Sequence, residues 1–232
     1  MQAPSETVPS RPRGAPPEPA AALALPTAHR QALGLFLRHL ACGERVAQRA
    51  AARQATLAPS PRIARFLRSQ ARQERTHALV FDGFARALGA APLALRACPY
   101  RAYATRVDAA AARGDFLDTV VGTQIVLEAL GEVLLARLDR GIARRGDALP
   151  RLRRRILAQE ATHHAFGAQI VAQALGEHPQ RAHAARVALD DYRHLAGALI
   201  DAGAPALFWF GVAGTDLHAE FDTRLLPWTS AC

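Results

Sequence analysis

Two stretches decide the reading, "QERTHALVF" at residues 73–81 and "QEATHHAFG" at residues 159–167. Each sets a glutamate three residues ahead of a histidine, Glu74 with His77 and Glu160 with His163, and the two copies lie 86 positions apart. Residues i and i+3 share one face of a helix, so each pair presents a carboxylate and an imidazole to the same point. Both sit in apolar, helically periodic surroundings. Ile63, Phe66, Gln70, Phe81 and Phe84 share the face of the first pair, and Ile156, Gly167 and Ile170 flank the second. A single Glu-x-x-His is ordinarily a solvated helix face, but two copies on apolar stripes need a reason.

Glutamate is scarce enough for its positions to matter. Between residues 19 and 176 only five occur: Glu44, Glu74, Glu128, Glu132 and Glu160. Glu44 precedes Glu74 by 30 positions, and Glu128 precedes Glu160 by 32. Proline and glycine punctuation, "APSP" (58–61), "GAAP" (89–92), "RGDALP" (145–150) and "GEHP" (176–179), divides the chain into helices. The expected helices cover about 28–57, 61–88, 115–145, 151–175 and 180–202. Residues 93–114 form a longer connection with some helical character, and an unusual tail beginning "APALFWF" follows the fifth helix. Two hairpins joined by one long crossover make a ferritin-like four-helix bundle, here all-α, with a fifth C-terminal helix and tail. In that arrangement each lone glutamate comes level with the Glu-x-x-His of its partner helix.

Composition agrees with an all-helical chain. The 232 residues hold 6% aromatics, and alanine and leucine supply most of the apolar content. The net charge is +9, and every basic residue is arginine, as a GC-rich codon bias would also give. Arginine spread thinly over helix surfaces is the expectation, so basicity is weak evidence for a nucleic-acid partner. Three cysteines (Cys42, Cys98, Cys232) without a CxxC argue against a disulfide scaffold or zinc knuckle and fit a reduced cytoplasm. Residues 1–25, rich in Pro, Ala and Ser, read as a disordered leader without a secretory pattern, before one helical di-metal domain over 26–232. No stretch of about 18 clean apolar residues suggests a membrane-spanning helix.

Glu44, Glu74, His77, Glu128, Glu160 and His163 would bring four carboxylates and two imidazoles into a core. Four uncompensated negative charges there are very costly. Two divalent ions neutralise them, and oxygen plus imidazole donors suit iron or manganese. Glu128 and Glu132 share a face, so either could serve from the third helix. Glu132 is otherwise an extra ligand, a group behind the ligands, or a partner of Arg137 or Arg140. His164 points about 100° from His163, toward the surface or a position behind the ligands. Asp190, Asp191 and His194 read mainly as a solvated face, with some prospect of orienting a ligand histidine.

On these residues the chain resembles the ferritin-like di-iron carboxylate superfamily over roughly residues 30–175. It is similar to the cyanobacterial aldehyde-deformylating oxygenases in length, in ligand layout and in the "FG" of "HHAFG" (163–167). It is similar to the tRNA hydroxylases through "FLDTVVGTQIVLEALGEVL" (116–134), and to rubrerythrins and demethoxyubiquinone hydroxylases in ligand order. The resemblance implies two iron ions or a Mn/Fe pair, O2 or H2O2 as co-substrate, and oxidation of a small organic, apolar substrate. It also implies an external reductant such as a ferredoxin, because the cysteine-rich rubredoxin segment is missing. The alternatives it carries are a tRNA-modifying hydroxylase, a rubrerythrin-like peroxide reductase and a non-catalytic iron-binding protein. "ALFWF" (206–210) reads as a core or dimer patch, or as a cover for an apolar channel.

Overall fold

A computed structural model describes residues 26–93, 99–143, 150–209 and 211–231. The expected leader at 1–25, and most of the "RGDALP" turn, lie outside the described residues. The helices are α1 (Thr27–Leu57), α2 (Pro61–Ala87), α3 (Tyr100–Ala112), α4 (Phe116–Val120), α5 (Glu128–Ala143), α6 (Pro150–Glu177), α7 (Ala182–Phe208) and α8 (Gly214–Ala231). A π-helical segment, Val121–Leu127, joins α4 to α5 in one rod. Among the described residues there is no strand.

The breakers act as the sequence suggests. Pro61 opens α2 where its missing N–H costs nothing, and Ser60 caps the helix by accepting from the Ile63 N–H at 3.3 Å. Gly89 and Gly114 take positive φ at the ends of α2 and α3, a conformation that disfavours other residues. Asp115 then caps α4 by accepting from the Asp118 N–H. Arg38 and Arg45, both on α1, pair with Asp82 on α2 and tie that hairpin together.

The core of the bundle is α1, α2, the α4–π–α5 rod and α6. Phe36, Leu40, Leu67, Phe81, Ile125, Leu130 and Ile156 fill it, all nearly or wholly buried. The rod from Phe116 to Arg140 is long and apolar enough to cross a membrane, but 89% of its most apolar window is buried in the bundle. It is the central helix.

Three expectations change. The 93–114 connection contains a full helix, α3, which packs on α1 with Tyr100 against His39 and Gly43, while Tyr103 reaches the π segment and Tyr192 of α7. The fifth helix runs on to Phe208, and the tail forms a further helix, α8, against α5 and α7. Leu217, Phe221 and Leu225 recur at helical spacing and are fully buried there, so the tail carries an ordinary amphipathic face hidden between Gly211 and Pro227. "ALFWF" is split: Ala206 and Leu207 are buried and Phe208 and Trp209 are exposed, while Phe210 lies outside the described residues.

The third rod is not a plain α-helix. A π turn widens the helix and misaligns backbone hydrogen bonds. Side chains take up the carbonyls: Gln54 Nε2 donates to Thr119 O at 2.8 Å, and Tyr103 Oη donates to Gly122 O at 2.5 Å. Close packing fits this path, because a Cβ on Gly122 would come 2.5 Å from the Tyr192 ring and one on Gly167 would come 2.3 Å from Gln124 Cβ.

Candidate metal centre

The six expected residues converge at the bundle axis. Glu44 comes from α1, Glu74 and His77 from α2, Glu128 from the first turn of α5, and Glu160 and His163 from α6. All are buried. They form two groups whose donor atoms lie within 4.8 Å of one another: Glu44, Glu74, His77 and Glu160 in one, and Glu74, Glu128 and His163 in the other. Glu74 belongs to both, with an oxygen toward each.

His77 Nδ1 lies 3.4 Å from Glu44 Oε2, 3.2 Å from Glu74 Oε2 and 3.1 Å from Glu160 Oε1. His163 Nδ1 lies 2.9 Å from Glu74 Oε1 and 3.7 Å from Glu128 Oε2. Yet both Nδ1 atoms, both oxygens of Glu74 and Oε1 of Glu160 are buried without a hydrogen-bond partner. Buried polar atoms left unmade cost about 1–3 kcal/mol each, more when charged. A cluster of lone pairs in contact but not hydrogen-bonded is what a divalent cation would satisfy.

Electrostatics agree. Burial, and then the facing carboxylates, push Glu44 and Glu128 well above the usual carboxylate range. Burial would raise Glu74 too, but His163 and His77 outweigh it and hold its carboxyl at about 2. Burial works to lower His77, and the carboxylates of Glu160, Glu44 and Glu74 overcome it and raise it strongly. Without metal, protons compensate the charge that metal ions would otherwise balance.

Sequence reasoning missed two residues of consequence. Gln159 Oε1 lies 2.9 Å from His77 Nε2, and Gln73 Oε1 lies 2.7 Å from His163 Nε2. Each glutamine opens one of the two repeated stretches and serves the histidine of the other. An amide oxygen accepts from Nε2–H, which leaves the Nδ1 lone pair facing the carboxylates. The signal was visible as the shared "QE" of both stretches.

Behind Glu128 runs a buried amide chain. Gln70 Nε2 donates to Glu128 Oε1 at 2.7 Å, Gln124 Nε2 donates to Gln70 at 3.1 Å, and Gln124 and Gln54 exchange bonds at 2.8 and 3.0 Å. Gln124 sits in the π segment, so the widened turn and the orientation of Glu128 are linked.

Glu132 stands apart from both donor groups. It pairs with Arg224 of α8 and lies 3.3 Å from His164 Nδ1. Arg137 and Arg140, its expected partners, pair with Glu220 instead. His164 is half-buried, and burial lowers its pKa. Asp190 and Asp191 pair with Arg186 and Arg106, and Asp190 and His194 line a shallow cleft on α7 and α8. They orient neither histidine of the site, since the glutamines do that.

One hollow borders the centre, and a groove lies apart from it. A cavity of about 30 Å³ touches Glu44, Glu128 and Glu160 and is otherwise walled by apolar groups such as Leu40, Leu127, Leu130 and Leu134. A groove of about 870 Å³ lies between α5, α6 and α8, with Glu132, His164 and Arg224 on its wall beside Leu157 and Trp228.

The chain superposes with a TM-score of 0.74 on a Synechococcus protein described as having aldehyde deformylating oxidase activity. The match covers 91% of this chain and 92% of that one at 18% identity. The fold is ferritin-like. No protein-family model matches the sequence, and no curated protein matches it either. The ferritin-like frame accounts for what the geometry displays: four helices supplying carboxylates and histidines to one axis.

Proposed function

We propose that the protein is a non-haem di-iron oxygenase or oxidase, with Glu44, Glu74, His77, Glu128, Glu160 and His163 as ligands to two iron ions. The observation that carries this is the set of converging, buried donor atoms without hydrogen-bond partners, with Glu74 shared between two groups. Oxygen and imidazole donors in this ratio suit iron, and equally a Mn/Fe pair. When bound and reduced, such a pair supplies the electrons that activate O2.

The chain's own residues do the rest. Gln73 and Gln159 hold the imidazoles in the tautomer that faces the metals. Gln70 fixes one oxygen of Glu128, leaving the other to bind. The apolar cavity beside Glu44, Glu128 and Glu160 has roughly the volume of a single water molecule, which suits O2. Its leucine walls give the reactive face an apolar border. An organic substrate needs more room, so Leu40, Leu127 or Leu134 must shift to admit it. The similar Synechococcus protein makes an aldehyde the first substrate class to test. Glu132, committed to Arg224 and His164, is turned from the metal donors, which weighs against a peroxide reductase that uses it as an extra ligand.

Anaerobic loading with ferrous iron followed by exposure to O2, with aldehydes and other apolar substrates as reactants, tests this reading. Oxidised product formed in proportion to bound iron supports it. Iron that binds but does not react with O2 overturns it in favour of an iron-binding protein.

A further inference from the structure

Helix α3 carries none of the six donors, yet it reaches the border of the metal centre. Tyr100, Tyr103, Val107 and Ala110 recur at helical spacing and all are buried, so one face of α3 is sunk into the fold. That face spans the seam between α1 and the α4–π–α5 rod. On the rod side Tyr103 Oη donates to Gly122 O, and both arms of Arg106 hold Asp118 of α4 at 3.0 Å. On the α1 side the Tyr100 ring lies beside His39 and against Gly43, where an added Cβ would come 3.3 Å from the ring. Gly43 directly precedes Glu44.

Tyr100 is also a wall of the small cavity beside Glu44, Glu128 and Glu160. Among the described residues that line this cavity, it alone comes from outside α1, the rod and α6. The carboxylates approach from the bundle axis and the tyrosine from the helix laid over the seam, so its ring is the outer wall. The remaining walls are soft. Leu40, Leu127, Leu130 and Leu134 yield by changing rotamer, with little movement of their helices. The ring does not yield so easily. It is 5% exposed, and the helix that carries it is pinned through Tyr103 and Arg106. An apolar cavity of roughly 150 Å³ holds a six-carbon ring, whereas this one has about 30 Å³. Leucine movement opens room along the seam, but room beyond Tyr100 requires α3 to lift. The large groove does not extend this space, because no described residue lines both.

We propose that Tyr100 is the specificity-determining residue of the centre, a fixed end wall that restricts the organic substrate to a short apolar skeleton of a few carbon atoms. The proposal rests on the di-iron reading and adds to it the size class of the substrate. The polar end of such a molecule meets the carboxylate side of the cavity, and its carbon atoms lie among the leucines. A longer chain collides with the ring.

The probe is the series of straight-chain primary alcohols from ethanol to decanol, titrated by calorimetry against the full chain, both metal-free and loaded anaerobically with ferrous iron. In the wild type, affinity should rise about fourfold with each methylene that finds an apolar wall, then stop rising within about the first six carbons. In Tyr100→Ala the rise should continue, so that octanol binds about tenfold more tightly than to the wild type. Tyr100→Phe, which keeps the ring, should break at the wild-type length. Tyr100→Leu serves in place of the alanine variant should the latter not fold. Iron uptake should be the same in every variant. Wild-type affinity that climbs without a break to decanol overturns the proposal, and so does a break that removal of the ring leaves in place. A break that moves with the ring in a chain that takes up no iron supports the wall and counts against the di-iron reading instead.

Discussion

Gln73 Oε1 lies 2.7 Å from His163 Nε2, joining α2 to α6 directly behind the donor cluster. Gln159 makes the reciprocal contact to His77. The repeat in the sequence is thus also a repeat of support, with each helix bracing the histidine of the other. Partners behind metal ligands typically govern affinity by about 10- to 100-fold. Gln73→Ala should therefore weaken iron binding in that range, read by competition with a chelator, while Gln73→Glu, which keeps an acceptor, should lose far less. Equal loss in both would mean the contact does not orient the ring.

Glu74 faces both donor groups, and His163 faces one. Glu74→Ala should cost most of the bound iron, and His163→Ala about half, by metal analysis of protein loaded with iron. Glu132→Gln should keep full iron content, because its carboxylate is held by Arg224 and His164, whereas Glu128→Gln should lower it. The reverse order would move the third-helix ligand by one turn.

The metal-free protein should have an unusual pH dependence. Glu44 and Glu128 are raised from 4.5 by burial and neighbouring carboxylates, and His77 is raised from 6.5 by its carboxylates despite burial. Stability from groups raised in the folded state is complete below their unfolded values and is lost as pH rises. Glu74, depressed to about 2, contributes above 4.5 and loses that contribution only in acid. Above neutrality the metal-free protein should therefore melt at progressively lower temperature, and iron loading, which displaces those protons, should suppress the trend. Thermal melts at about pH 6 and pH 8.5 check this, and a metal-free protein that gains stability over that interval would contradict it.

Gly167 admits Gln124 of the π segment at a distance no Cβ tolerates. Gly167→Ala should cost about 1–3 kcal/mol, a fall of several degrees in melting temperature, and should disturb the amide chain that ends on Glu128. Gly176→Ala, where nothing lies within 4 Å of the added carbon, is the neutral comparison. Equal melting temperatures for the two variants would remove the argument that the π segment is packed against α6.

The sequence made the bundle and its buried cluster of carboxylates and histidines legible for a physical reason. Buried charge is costly, so glutamates on the apolar stripes of Glu44, Glu74, Glu128 and Glu160 stand out without any coordinates. Proline and glycine marked the helix ends to within a few residues. The π segment left no such trace, because "VGTQIVL" is as apolar as the α-helix around it, and the side chains that take up carbonyls along this stretch, Gln54 and Tyr103, are distant in the chain. Helix α8 was hidden by Gly211 and Pro227. Since Arg224 lies on it, the partner of Glu132 was hidden too. The glutamine braces were in plain view but unassigned, because an amide beside a glutamate says nothing until the opposite helix is placed against it.

Iron content per chain, followed by reaction of the anaerobic ferrous protein with O2, is the most direct test of the central claim. The account predicts about two irons per chain and rapid oxidation by O2 with a transient absorption. A folded, helical protein that binds no iron would contradict it and reduce the Glu-x-x-His repeat to a buried polar network.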